Sequence, residues 1–353
     1  MDCCSSQDSR YTDCRGEQIA MTDSMPLHRL CPPVLLIVFN RPETTRHVFQ
    51  EIRRAKPARF YIGADGPRSD RAHEAERSAE VRRIVTEVDW PCEVKTLFRA
   101  KNLGCRAAVS EAITWFFEHE EGGIILEDDC LPNISFFAYC GQLLERYRTD
   151  DCVMHISGWS PRPVDDSVPF SYTFSRYPRA WGWATWRRAW AKYRPEPTAW
   201  SEAVEQQFLI RMFEGQKRLA RLWARTFNSV YDGRIDTWDY QWVLSCWLND
   251  GLSIAPKFNM VHNIGFGADA THTTDEKDDR RNLKVMETPF PLVHPPRICR
   301  NPERDRTTVE RDFLKAERFW LLRQFKSLVC AVFRTPPNLW LSKLRSNAMR
   351  RAG

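Results

Sequence analysis

Short, uninterrupted apolar runs alternate along the chain with stretches of helical periodicity. Val34 to Phe39 is apolar throughout, the pattern of a strand buried on both faces. Pro42 and Glu43 then fit a helix start, and Thr44–Arg54 places Val48, Phe49 and Ile52 on one face. The same alternation predicts a strand over Arg59–Ile62, a helix over Ala72–Val88 and a strand over Cys92–Phe98. It continues with a helix over Arg106–Glu118, where Val109, Ile113, Trp115 and Phe116 are candidate core positions. A strand within Gly122–Glu127, a helix from about Ile134 to Tyr147 and a strand over Val153–Ser157 complete the series. Strands alternating with helices imply βαβ units and an α/β fold with a mainly parallel sheet.

In such a sheet ligands bind outside the carboxyl ends of the strands. The predicted ends are Asn40-Arg41, Asp65-Gly66, Arg99–Gly104 and Glu127-Asp128-Asp129. All are polar or bear glycine. The acidic triplet admits two readings. Mg²⁺ or Mn²⁺ takes one or two carboxylates together with phosphate oxygens, so the triplet suits a metal–diphosphate site. Alternatively the acids form a solvated turn, or face the dipole of the helix that follows. No Gly-x-Gly-x-x-Gly follows the first strand and no Walker A loop is present, which argues against dehydrogenases and P-loop NTPases.

Composition changes this picture mainly at the two ends. The 353 residues carry a net charge of +6, but the 58 positions from Pro296 hold 14 Lys/Arg against 5 Asp/Glu. The remainder is therefore slightly acidic, which disfavours nucleic acid as a partner. Residues 313–345 mix Phe, Trp and Leu with Arg and Lys. That pattern suits a helix at an anionic membrane surface, or equally a terminal helix packed on the domain. Residues 1–30 are polar and aperiodic and read as disordered. The 12 cysteines form no Cys-x-x-Cys pair, as expected in a reducing, cytoplasmic setting. Neither a secretory leader nor a membrane-spanning run is visible.

Several motifs in this order resemble one family. They are Asn40-Arg41-Pro42, Asp65-Gly66-Pro67, Asn102-Leu103-Gly104 and Leu126-Glu127-Asp128-Asp129. Ser157-Gly158-Trp159, Trp181-Gly182-Trp183-Ala184-Thr185-Trp186, Thr237-Trp238-Asp239-Tyr240 and Asn263–Gly267 follow. Over about Pro33–Thr274 the chain resembles GT-A-fold glycosyltransferases, bacterial family-2-like members above all. It is also similar to the N-acetylglucosaminyltransferase I group. The resemblance implies a Rossmann-like GT-A domain over 33–295, with a nucleotide-sugar half (33–160) and an acceptor half (161–295), followed by a basic tail over 296–353.

The resemblance also implies a metal-dependent, inverting transfer from a nucleotide diphosphate sugar to a glycan or lipid-linked acceptor. Asp129 and His272 would hold Mn²⁺ or Mg²⁺, with Glu127 and Asp128 beside the donor. Asp65 would meet the base, Asn40 and Arg41 the base and phosphate edge, and Asn102 and Gly104 the sugar nucleotide. Asp239 would be the general base, with Asp236 as its substitute; a plain helix-start acid is the alternative for Asp239. Trp183 after Gly182 would stack on an acceptor sugar, unless the Trp cluster is core. A sugar nucleotidyltransferase and an inactive, membrane-associated glycan-binding protein are the competing functions.

Overall fold

A computed structural model describes residues 31–160, 168–205, 207–265 and 283–314. The proposed disordered head, His272 and most of the 313–345 stretch lie outside those residues. The first half follows the hydrophobic pattern closely: β1 (Val34–Val38), α1 (Pro42–Ala55), β2 (Arg59–Ala64), α2 (Glu74–Thr86), β3 (Glu93–Phe98), α3 (Cys105–His119), β4 (Gly122–Glu127). Next come the short β5 (Cys130–Pro132), α4 (Ile134–Arg146) and β6 (Val153–Ser157). The second half contributes β7 (Tyr172–Ser175), β8 (Trp183–Trp186) and four helices: α5 (Arg187–Trp190), α6 (Pro197–Glu205), α7 (Phe208–Met212) and α8 (Lys217–Tyr231). Then come α9 (Asp239–Leu248), β9 (Leu252–Pro256), β10 (Val261–Asn263) and α10 (Pro302–Thr308), which continues into a π-helical turn over Val309–Leu314.

Eight strands form one sheet in the order β3-β2-β1-β4-β8-β6-β9-β7, and β10 pairs with β5 in a separate ribbon. The pairs β3–β2, β2–β1, β1–β4 and β6–β9 are parallel. β8 runs antiparallel between β4 and β6. The architecture is α/β and Rossmann-like, a large, mostly parallel sheet flanked by helices. Residues 33–160 and 161–295 share one sheet, with β8 from the second stretch lying between two strands of the first.

Alternation along β1 explains the layering. Val34, Leu36 and Val38 join a core with Val48, Phe49 and Phe136 on the α1–α4 side. Leu35 and Ile37 face the other way, onto Ile113, Phe116, Trp183 and Trp242 on the α3–α9 side. A third cluster ties α6 to α9 through Trp200, Trp223, Phe227 and Trp247.

The boundary placed at residue 296 falls inside the folded unit. Asn301 donates its amide to Phe174 O at 2.8 Å, and Arg304 donates to Pro256 O at 2.8 Å. Buried Asp305 accepts from Ser175 Oγ at 2.6 Å, and Val309 joins the helical cluster. The basic composition hid this docking, because backbone contacts and one buried acid among many basic residues make it. No helix among the described residues is long and apolar enough to cross a membrane.

Candidate functional site

β1 to β4 are parallel, so their carboxyl ends share one edge of the sheet. Ile37 pairs with Glu127 in register, which carries Phe39–Arg41 alongside Asp128 and Asp129. β8 is antiparallel to β4 with Trp183 opposite Ile125, so its amino end, Trp181-Gly182, reaches the same edge.

The acidic triplet is already met by a cation from its own chain. Arg41 pairs with Asp128 Oδ1, and through Nη1 with Asp129 Oδ2 at 2.9 Å. Asp128 Oδ2 also accepts the Phe39 amide at 3.3 Å. Burial alone would lower the Arg41 pKa; the two carboxylates outweigh it and hold the guanidinium above its ordinary value. Burial, with Asp129 and Asp128 adding repulsion, pushes Glu127 up to about 8. Burial also raises Asp128, against the pull of Arg41. Behind the pair runs the backbone of Gly265, where a Cβ would stand 2.2 Å from Asp129 Oδ2, so no other residue fits there.

This arrangement bears on the expected metal. Among the described residues no three His, Cys, Asp or Glu groups converge as a cation cage. Asp128 has both oxygens engaged, and Asp129 shares Oδ2 with Arg41 while its Oδ1 accepts the weak donor Cys130 Sγ at 3.4 Å. The remaining donor set is that of Asp129. It suits a hard cation that takes one carboxylate plus ligand phosphate oxygens, not one enclosed by protein.

Asp65 does different work from the base contact that the sequence suggested. It accepts the Gly66 amide at 2.9 Å, the Leu103 amide at 3.0 Å and Asn102 Nδ2 at 2.9 Å. Its oxygens are thus spent bracing the loop after β2 to the loop after β3, and Asn102 is the other half of that brace. Burial raises the Asp65 pKa, opposed by the Leu103 and Gly66 amides. Asn40 is likewise committed, donating to buried Glu74 at 2.8 Å. Glu74 also receives the Arg68 amide at 2.6 Å, and the Arg68 guanidinium lies 5.5 Å from the Phe39 ring centre. The hydrogen bonds from Arg68 hold Glu74 below its ordinary value. Arg68 and Glu74 escaped the sequence reading; Glu74 in the first turn of α2 was the available signal.

Two acids near the start of α9 separate in role. Asp239 opens the helix, and its Oδ1 accepts from the Thr237 hydroxyl and from the Tyr240 amide at 3.0 Å. Oδ2 has no hydrogen-bond partner among the described residues. The charge on Asp239 contributes to the raised pKa of Glu127, so the two carboxylates lie within electrostatic reach of one another. Thr237, which fixes Asp239, stands in the sequence motif but had been given no role there. Asp236 is exposed, yet both oxygens are used: Cys105 N reaches Oδ2 at 2.9 Å and Arg106 N reaches Oδ1 at 3.3 Å. It caps α3 and is not placed as a spare base. Gly104 precedes that helix with φ +82, and a Cβ there would lie 2.9 Å from Asp236 Oδ2.

The expected acceptor platform is overturned. Trp183 is 0 % exposed and stacks between His155 at 4.8 Å and Trp238 at 5.5 Å. It is core because β8 is an interior strand with both faces covered. Gly182, at φ +62, would place a Cβ 2.8 Å from Val261 Cγ2; it serves the close passage of β10. Arginines beside the Trp cluster hold backbone: Arg188 donates to Tyr147 O at 2.8 Å and Arg187 to Glu120 O at 3.2 Å. His155 is neutral, its pKa lowered by burial to about 3, and it accepts from Trp242 Nε1 at 3.1 Å.

No family model matches the chain, and no curated protein matches it. Solved structures do match, among them UDP-glucose pyrophosphorylase in complex with UDP-glucose. That match has 11% identity and a TM-score of 0.24, and covers 41% of this chain. The chain spans 62% of the length of that structure, and the likeness at this level concerns the fold alone.

Proposed function

We propose that this protein is a glycosyltransferase that moves a sugar from a nucleotide diphosphate donor to a hydroxyl acceptor, with inversion at the anomeric carbon. One observation carries the reading: Asp239 has one carboxylate oxygen pinned by Thr237 and Tyr240 and the other without a partner, within electrostatic reach of Glu127. A general base needs that combination of fixed orientation and an open lone pair.

In the reaction the acceptor hydroxyl attacks the anomeric carbon and its proton passes to Asp239 Oδ2. The bond from the anomeric carbon to the diphosphate oxygen breaks, and the bonding electrons leave with the nucleoside diphosphate. Negative charge grows on that leaving group. Arg41, at the same strand edge, holds Asp128 and Asp129 through its two Nη atoms, and its positive charge would stand beside the departing phosphate. A Mg²⁺ or Mn²⁺ held by Asp129 and the diphosphate would add Lewis-acid stabilisation of the departing phosphate. Arg68 beside Phe39 lines the same edge and supports a nucleotide there.

The test is a thermal-shift panel of UDP-, GDP-, TDP- and CMP-sugars with and without Mn²⁺, followed by donor hydrolysis with the best ligand. Stabilisation by at least one sugar nucleotide, with release of free sugar, is expected, because ligand binding shifts folding by mass action. Absence of both removes the enzyme reading. Formation of a sugar nucleotide from a sugar 1-phosphate and a nucleoside triphosphate would instead assign a nucleotidyltransferase.

A further inference from the structure

Asp236 joins two parts of the molecule that are far apart in sequence. α3 has no side-chain cap of its own, because its N-cap residue is Gly104. The missing acceptor comes from Asp236, which takes the amides of Cys105 and Arg106. The loop leading into this helix is fastened at its other end by Asp65 through Leu103 and Asn102. Gly104 is matched to the contact, since any Cβ there would press on Asp236 Oδ2. An exposed acid with both oxygens engaged across the sheet edge is more than a solvated turn residue.

The turn from Asp236 to Asp239 is fastened at each of its residues. Thr237 donates to Asp239 Oδ1, Trp238 is buried in a stack on Trp183, and Tyr193 donates its hydroxyl to Trp238 O at 3.3 Å. Asp236 is the link that ties this turn to α3 and so to the loop over the strand ends. We propose that Asp236 is a positioning residue for Asp239, clamping the turn that carries the base to the amino end of α3. The proposal rests on the glycosyltransferase reading for its catalytic meaning, but the coupling between the two segments is a property of the fold.

The test uses the full chain and the variants Asp236→Ala, Asp236→Asn and Gly104→Ala. Hydrogen–deuterium exchange is read at Cys105 and Arg106, whose amides meet Asp236, and at Tyr240, whose amide meets Asp239. In Asp236→Ala all three exchange faster, by about 5-fold or more, the scale of a lost helix cap. Gly104→Ala reproduces the pattern by a different route, and Asp236→Asn, which keeps one acceptor oxygen for two amides, gives an intermediate increase. Hydrolysis of the best-binding sugar nucleotide in Asp236→Ala shows kcat reduced about 10-fold with KM little changed, as expected for a misplaced base. Faster exchange confined to Cys105 and Arg106, with Tyr240 unaltered, overturns the proposal, since Asp236 would then be a cap alone. An unchanged kcat in Asp236→Ala overturns it as well. A wild-type protein that turns over no sugar nucleotide refutes the glycosyltransferase reading, while the exchange measurement still decides the coupling. Should Asp236→Ala fail to fold, Asp236→Asn and Gly104→Ala carry the same comparison.

Discussion

Replacing Trp183 separates a core residue from a sugar platform. Trp183 is fully buried between His155 and Trp238 and also packs on Trp190 and Trp242. Its truncation to alanine opens a cavity that fixed strands β4 and β6 cannot close. Such losses cost about 3–5 kcal/mol. At roughly 2–4 °C per kcal/mol for domains somewhat smaller than this, the melting temperature should fall by on the order of 10 °C. Phenylalanine behaves differently. The indole Nε1 of Trp183 is buried without a hydrogen-bond partner among the described residues, so Trp183→Phe gives up volume and no bond. Leaving a buried donor unsatisfied costs about 1–3 kcal/mol, and its removal offsets much of the lost packing. Trp183→Phe should therefore lie within about 1 kcal/mol of wild type. The assay is urea unfolding followed by Trp fluorescence and circular dichroism. A Trp183→Ala protein with wild-type stability would refute the packing argument and return Trp183 to the candidate acceptor contacts.

Three further outcomes follow from the same geometry. The Glu127 pKa rises from 4.5 to about 8 on folding, so ionisation opposes the folded state: stability is lost as pH climbs through that window. Glu127→Gln should match wild type near pH 5 and melt higher near pH 8, measured with a chelator present; identical curves at both pH values contradict the burial argument. Arg41→Gln strips the cation from buried Asp128 and partly buried Asp129 and should cost about 3 kcal/mol. Mn²⁺ should restore more stability to Arg41→Gln than to wild type in a thermal shift, and an equal response would show that Arg41 does not compete for Asp129. Asp305→Ala removes the buried anchor of α10 and should cost about 3 kcal/mol, with faster tryptic cleavage between Pro295 and Leu314; unchanged cleavage would show that the docking is held elsewhere.

Where a segment is buried on both faces, its sequence announced it. The apolar runs of β1 and β4 were visible as strands because their buried positions are filled by Val, Ile, Leu and Gly, while β6 was visible although it buries His155 and Ser157, whose polar atoms find hydrogen-bond partners. Helix ends shifted by a residue or two, as at α2, where Glu74 begins the helix in place of Ala72. β8 was not legible. Its Trp-rich run satisfies the composition of a sugar platform and of an interior strand alike, and only the insertion between β4 and β6 decides. Carboxylates posed the same problem. Asp65 and Asp129 both end strands, yet one braces a neighbouring loop and the other meets Arg41. Asp236 and Asp239 stand close in sequence, but one precedes α9 and turns toward α3 while the other opens α9. A spacing pattern carries no information about which backbone amides a distant loop will present.

In the proposed reaction Asp239 takes the acceptor proton and does not hold the donor. The most direct test of this role compares Asp239→Asn with wild type for turnover of the best-binding sugar nucleotide, alongside the Kd for the matching nucleoside diphosphate by calorimetry. Removing a general base costs about 10²–10⁴-fold in rate. A loss of that size is expected with Kd within about 2-fold, because in the proposed reaction the carboxylate contacts the acceptor hydroxyl and not the nucleotide. Retained turnover, or a loss of nucleotide binding equal to the loss of turnover, would contradict it.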